Sequence, residues 1–333
     1  LRKGFVVFSM SLLALLTAAP AAEAHVKWFT DLKPEKETIV NILSPLFMGL
    51  AVFVAVLLAV LTQMRPVLAD WKLAQKVDRK LDELRSYSVW ILKYGLAVAL
   101  LIQVLSGSLF VPEFDLAAQS DRILLWIAIA LLLIPYHLAT KAGALVTLWL
   151  LVRLTTDVGL FHMLDYGFYL AIVGVLLLEK TKKERWGLPF LYLGTGLSLC
   201  WVAVEKWVFP AMALDIVEHH GVPTFGFAPE AFVVMAAFIE FVVGYLLVVG
   251  ILNRLLSIVL TAIFVSTTML FGMTELVGHF MIHIVLIIFI IEGVSFYKPP
   301  VEMHGRRVDQ MIFVSLNFLF VLAAFTLIYY RFA

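Results

Sequence analysis

From residue 39 onward the chain alternates between apolar stretches of 17 to 24 residues and short polar segments. The apolar stretches fall at 39–62, 88–110, 122–138, 142–158, 161–178, 187–208, 231–251, 255–272, 277–296 and 311–330. A helix crosses the ~30 Å hydrocarbon layer in about 20 residues. Within lipid an unclosed segment satisfies its backbone N–H and C=O groups only as a helix. The alternating pattern of a membrane barrel strand is absent. The pattern therefore predicts an all-α, polytopic membrane bundle of about ten transmembrane helices.

Composition sharpens this picture. Hydrophobic residues make up 62% of the 333 and charged residues only 15%, where a soluble domain carries roughly 25% charged residues. Lys plus Arg number 25 and Asp plus Glu 24, which leaves no basic face for nucleic acid. The lipid bilayer is the expected surrounding. The single cysteine, Cys200, excludes an intramolecular disulfide and any centre built on several thiolates.

The N-terminus reads as an export signal: Arg2 and Lys3, an apolar run over 5–17, then Ala22-Glu23-Ala24. Cleavage over 1–24 would make His25 the mature N-terminus, on the periplasmic side of the inner membrane. The basic segments agree with that orientation. Arg65, Lys72, Lys76, Arg79, Lys80 and Arg85 share one polar segment, Lys180, Lys182, Lys183 and Arg185 another, and Lys298, Arg306 and Arg307 a third; 209–230 holds no Lys or Arg. Residues 64–86 read as an amphipathic cytoplasmic linker. The expected organisation is a leader (1–24), a first span with its linker (25–87), a four-helix repeat A (88–180), a four-helix repeat B (187–295), and a loop with a last helix (297–333).

The repeat rests on an ungapped match. Gly159 through Glu179 aligns with Gly272 through Glu292, glycine to glycine and glutamate to glutamate. Upstream, LFVPEFD (109–115) resembles VFPAMALD (208–215). Both copies run in the same direction, so the duplication is parallel. Glu240-FVVGYLLVVGILNRLLSIVL with the following FGMTELVGH resembles the DoxX-like membrane proteins, through Glu240, Gly244, Gly250 and Arg254. The resemblance covers 187–295 more clearly than 88–180, where Pro135-Tyr136-His137 replaces the stretch that carries the helix glutamate. It implies a four-helix module in quinone-linked or redox-stress systems, without a single reaction.

Ionisable residues inside membrane helices are costly and mark function by default. Glu275, His279 and His283 recur at steps of four, so they share a helical stripe with about 40° of drift per step. Imidazole and carboxylate together suit a transition metal, with copper favoured among them. A quinone or proton-relay role and plain interhelical bonding are the alternatives. Glu205 and Glu240 are candidates to complete or tune the site. His219 and His220 would cap it, and His162 marks the matching place in repeat A. His25, if it bears a free α-amine, resembles the histidine brace of copper proteins. Three functions follow: a redox protein or oxidoreductase subunit with a copper or quinone site and a periplasmic or membrane redox partner, a metal-ion or small-solute transporter, or a scaffold subunit without chemistry.

Overall fold

The computed structural model describes residues 28–30, 32–69, 72–250, 253–293 and 306–333. The expected leader over 1–24, His25, Lys298 and His304 lie outside these residues. After a one-turn helix α1 (Ile39–Ile42), Leu43 leaves the helical region at ψ 37° and α2 (Pro45–Ala69) restarts on a proline. Proline suits that position because its missing N–H belongs to the unpaired first turn. The linker helix α3 (Lys72–Asp82) follows, then α4 (Ser88–Ser106) and a two-stranded hairpin of β1 (Ser108–Leu109) and β2 (Val111–Asp115).

Helix α5 (Gln119–Leu133) is only 15 residues long. Pro135 disfavours helical backbone at the residue before it, and Ile134 accordingly sits extended at ψ 123°. Next come α6 (His137–Val158), the one-turn α7 (Leu160–Met163), a 3₁₀ turn over Leu164–Tyr166, and α8 (Gly167–Leu178). The second half holds α9 (Gly187–Val208), α10 (Pro210–His219), α11 (Pro229–Val249), α12 (Asn253–Phe271), α13 (Met273–Glu292) and α14 (Arg307–Phe332).

Eight helical stretches among the described residues are long and apolar enough to cross a membrane, which fits a multi-pass membrane protein. The expected span 39–62 coincides with α1 and the apolar part of α2, and the expected span 122–138 with the 15-residue α5. Proline marks an end of each helix: α2 starts on Pro45 and α5 stops ahead of Pro135. The polar segment 209–230 is not simply a loop, since α10 occupies its first half. Large apolar side chains such as Phe53, Trp149 and Phe320 stand exposed on the outer helices, as contact with lipid requires.

The two four-helix stretches interlock. Helix α9 packs on α11 and on α8, while α13 packs on α12 and on α4. The first helix of each stretch thus receives the fourth helix of the other. The flanking helices α2 and α14 pair with each other and lean on α9 and α11. At the α9–α11 crossing a Cβ on Gly196 would lie 2.5 Å from the Gly244 carbonyl oxygen, and one on Gly244 2.7 Å from the Gly196 carbonyl oxygen. Only glycine permits that approach. The expected linker 64–86 contains α3, whose described residues 75–80 are exposed. Asp78 pairs with Arg254, whose Nε and Nη2 donate to the carbonyls of Ile290 and Ile291 at 2.6 and 3.0 Å. A cation there satisfies the last carbonyls of α13 and complements its dipole.

Candidate functional site

The fourth helices of both repeats start at matched glycines, Gly159 with φ 92° and Gly272 with φ 70°. Such backbone is costly for any residue with a Cβ. Both chains therefore turn into their fourth helix at the same end of the bundle, and both bring polar side chains there.

In repeat B, Glu275 lies in the first turn of α13, where the helix dipole favours a carboxylate. It is buried, accepts a 2.5 Å hydrogen bond from Thr267 Oγ1, and lies 3.0 Å from His279 Nδ1. The His279 ring stacks on Phe264 at 4.7 Å and meets the Trp28 indole at 5.0 Å. His283 stands deeper, edge-on to Phe264 at 6.0 Å.

In repeat A the hairpin supplies the acid. Phe110 turns it at φ 67°. That rare conformation for a bulky residue is held by full burial and by Tyr169 Oη donating to the Phe110 carbonyl at 2.9 Å. Glu113 is thereby carried over the fourth helix. Its Oε1 lies 2.7 Å from His162 Nε2 and accepts from Tyr166 Oη at 2.8 Å. Just below, Ser198 of α9 inserts its hydroxyl into the helix ladder. Its Oγ donates to the Leu164 carbonyl at 3.2 Å and accepts the Phe168 N–H at 3.1 Å. Such insertion breaks a helix. It accounts for the 3₁₀ turn here, where repeat B runs as one helix.

The two walls face one cavity. From repeat A it is lined by Asp165, Tyr166 and Phe168, and from repeat B by Gly278, His279 and Ile282. In the repeat alignment Asp165 matches Gly278 and Tyr166 matches His279. Thr195 and Ser198 of α9, Glu240 of α11 and Phe264 of α12 close the sides, and Trp28 covers it. The enclosed room is about 40 Å³ within about 440 Å³ of space running out through the mouth. Thr195 is fully buried and its Oγ1 has no hydrogen-bond partner among the described residues. A buried hydroxyl of that kind seeks a water or a ligand.

Residues 28–30 form the cover. A Cβ on Gly278 would fall 1.9 Å from the Trp28 ring, so glycine is what lets the indole lie flat on α13. Phe29 stacks on Phe271 at 4.5 Å, its carbonyl lies 2.9 Å from His220 Nε2, and Thr30 Oγ1 donates to Asp215 Oδ2. Gly278→Val is expected to lift Trp28 from its seat. The emission difference between the chain and its Trp28→Phe variant should shift to the red and become quenchable by acrylamide. An unshifted difference spectrum would show that the indole does not rest there.

The structure thus places the expected residues unevenly. His279 and Glu240 line the cavity; Glu275 stands behind His279 as its partner. Glu240 pairs with Lys206 at 2.5 Å. Glu205 is fully buried and does not line the cavity. It shares the surroundings of Asp165, Tyr166 and Tyr329. His162 serves the Glu113 cluster. His219, largely exposed, lies 2.8 Å from Asp215 Oδ1, and His220 clamps Phe29. The caps therefore hold the cover and do not aim imidazoles at His279. Among the described residues no three His, Cys, Asp or Glu side chains are placed to share a metal ion. The stripe of three does not fit a ligand set, because Glu275 is engaged by Thr267 and His279 while His283 packs on Phe264. Glu113, Thr195 and Trp28 were not singled out from sequence. Only the VPEF stretch and the alignment of Tyr166 with His279 pointed toward this wall.

Comparison of the chain with protein-family models, with curated proteins and with solved structures finds no match.

Proposed function

We propose that the chain is a multi-pass inner-membrane protein of a redox system, DoxX-like in its repeats, whose cavity receives the head of a quinone from the periplasmic half of the membrane. The observation that carries this reading is the shared cavity itself, where an imidazole, a carboxyl group, a phenol and an unpartnered hydroxyl meet between aromatic walls. A quinol that gives up two electrons also gives up two protons. His279, backed by Glu275, and Asp165 are placed to take them. On this reading the two electrons of the quinol pass to a membrane or periplasmic redox partner.

With Trp28 seated, about 40 Å³ is enclosed, enough for water but short of the roughly 150 Å³ that holds a benzene ring. The indole therefore stands where a planar ring would lie, and ligand entry requires its withdrawal. The test titrates the full-length chain in lipid nanodiscs with a short-tailed ubiquinone while following tryptophan emission. Saturable quenching is expected, weakened on the order of tenfold in His279→Ala, the loss of one buried hydrogen bond to a ligand. His279→Gln should keep the wild-type melting temperature. No saturable quenching in wild type or in Trp28→Ala would end the quinone reading.

One observation favours a copper site as second reading. Trp28 rests on His279, and His25 precedes Trp28 by three residues in the sequence. Stoichiometric copper in protein sequenced to begin at His25, lost on His25→Ala, would decide for it.

A further inference from the structure

The opposite end of repeat A carries a second pocket, formed because α5 stops short. Lys93, on α4, lies eight residues past Arg85, hence ~12 Å further along the axis. It is 3% exposed and its Nζ donates to the Ile134 carbonyl at 2.6 Å, in the break ahead of Pro135. The ammonium also sits 5.2 Å from the Trp90 ring and 5.1 Å from the Tyr94 ring. Lys180 and Glu179 enter from the end of α8, and His137 and Thr140 from the start of α6. Tyr136, the residue before α6, makes no side-chain cap, so the first N–H groups of that 22-residue helix have no intrahelical acceptor. Glu179 Oε2 is buried without a hydrogen-bond partner among the described residues. The pocket is small, about 20 Å³ enclosed within about 270 Å³ of open space, and Trp90 and Tyr136 stand exposed at the level of its mouth.

Two opposite chemistries therefore meet within one notch. Lys93, Lys180 and the α6 amides present donors for an anion. Glu179 presents a carboxylate oxygen that accepts no hydrogen bond among the described residues. An isolated phosphate would satisfy the first and suffer from the second. We propose that the notch binds the headgroup of an aminophospholipid, with the phosphate against Lys93, Lys180 and the start of α6, and the primary ammonium on Glu179. Aromatic rings at the mouth suit the headgroup layer, where such side chains concentrate. The acyl chains stay in the bilayer, since the enclosed room admits only part of the head. A lipid held there would cover the α5–α6 break, whose backbone otherwise faces the membrane. This inference is independent of the cavity between the repeats.

The test is native mass spectrometry of the detergent-purified full-length chain, offered phosphatidylethanolamine, phosphatidylcholine or phosphatidylglycerol with identical acyl chains. Phosphatidylethanolamine should be retained on the order of tenfold better than phosphatidylcholine, whose quaternary ammonium cannot donate to Glu179. Glu179→Gln should erase that preference, and Lys93→Met should reduce retention of all three lipids. Should Lys93→Met not fold, Glu179→Gln decides alone. Equal retention of the choline lipid by wild type, stronger retention of the glycerol lipid, or an unchanged preference in Glu179→Gln would each overturn the proposal.

Discussion

Gly196→Val should leave little folded protein. Its Cβ would sit 2.5 Å from the Gly244 carbonyl oxygen and 2.6 Å from Val248 Cγ2, both fixed parts of α11. Relief requires the α9 and α11 backbones to separate. Overpacking of this sort costs about 1–3 kcal/mol and more where backbone must move. In lipid the penalty falls on the close contact that drives helix association, since apolar burial contributes little there. Thr195 is the neighbouring residue and Glu240 lies one turn before Gly244, so the cavity should open along with the crossing. The measurement is the monodisperse fraction on size exclusion in mild detergent, with resistance to unfolding by added SDS. Gly49→Ala is the control: nothing lies within 4 Å of its added carbon, and alanine favours the helix by up to about 1 kcal/mol. A Gly196→Val variant as resistant as that control would show that the crossing is looser than described.

The second large effect is expected at Glu113. Its carboxylate meets His162 and Tyr166 through one oxygen, with Glu113 side chain 8% exposed and His162 9% exposed. Replacing it with leucine leaves a buried imidazole and a buried phenol without their shared acceptor. Leaving a buried polar group without its acceptor costs about 1–3 kcal/mol for each group. Glu113→Gln keeps an acceptor in place and should lose only about 1 kcal/mol. The same SDS titration ranks the two. If the leucine variant unfolds at the wild-type midpoint, the Glu113 cluster does not hold the hairpin to the fourth helix. Because that cluster also holds Tyr166 at the cavity, the proposed quinone site predicts weaker saturable quenching in Glu113→Gln with the fold intact.

The contrast between the two repeats shows where sequence reasoning stops. Gly159 and Gly272, and the glutamates at the far ends, align without a gap, and both glycines adopt positive φ in the structure. The fourth helix of repeat B was legible as a stripe of Glu275, His279 and His283. What the stripe faces was not. A helical period states which side chains share a side, but the partner of that side belongs to another helix. Thr267 and Phe264 on α12 take Glu275 and His283, and only His279 reaches the cavity. The break at Leu164–Tyr166 was equally hidden, because its cause is Ser198, 30 residues away in sequence.

Acidic groups were harder still. Glu205 and Lys206 are neighbours in sequence, yet successive residues on a helix point about 100° apart. Lys206 therefore reaches Glu240 on α11 while Glu205 turns inward. Glu113 belongs to no helical stripe that would mark it in the sequence, and the hairpin buries it.

The periodicity of apolar residues settled what the chain could decide alone: that it is helical, that many of its helices are long and apolar enough to cross a membrane, and roughly where they begin. Those properties follow from local solvation and backbone satisfaction, which each segment answers by itself. The tertiary structure decided which helices touch, that the two four-helix stretches interlock, that Tyr166 and His279 line one cavity, and that Trp28 lies against it. These depend on contacts between residues far apart in sequence, made at glycine-lined crossings where a single added carbon would change the outcome.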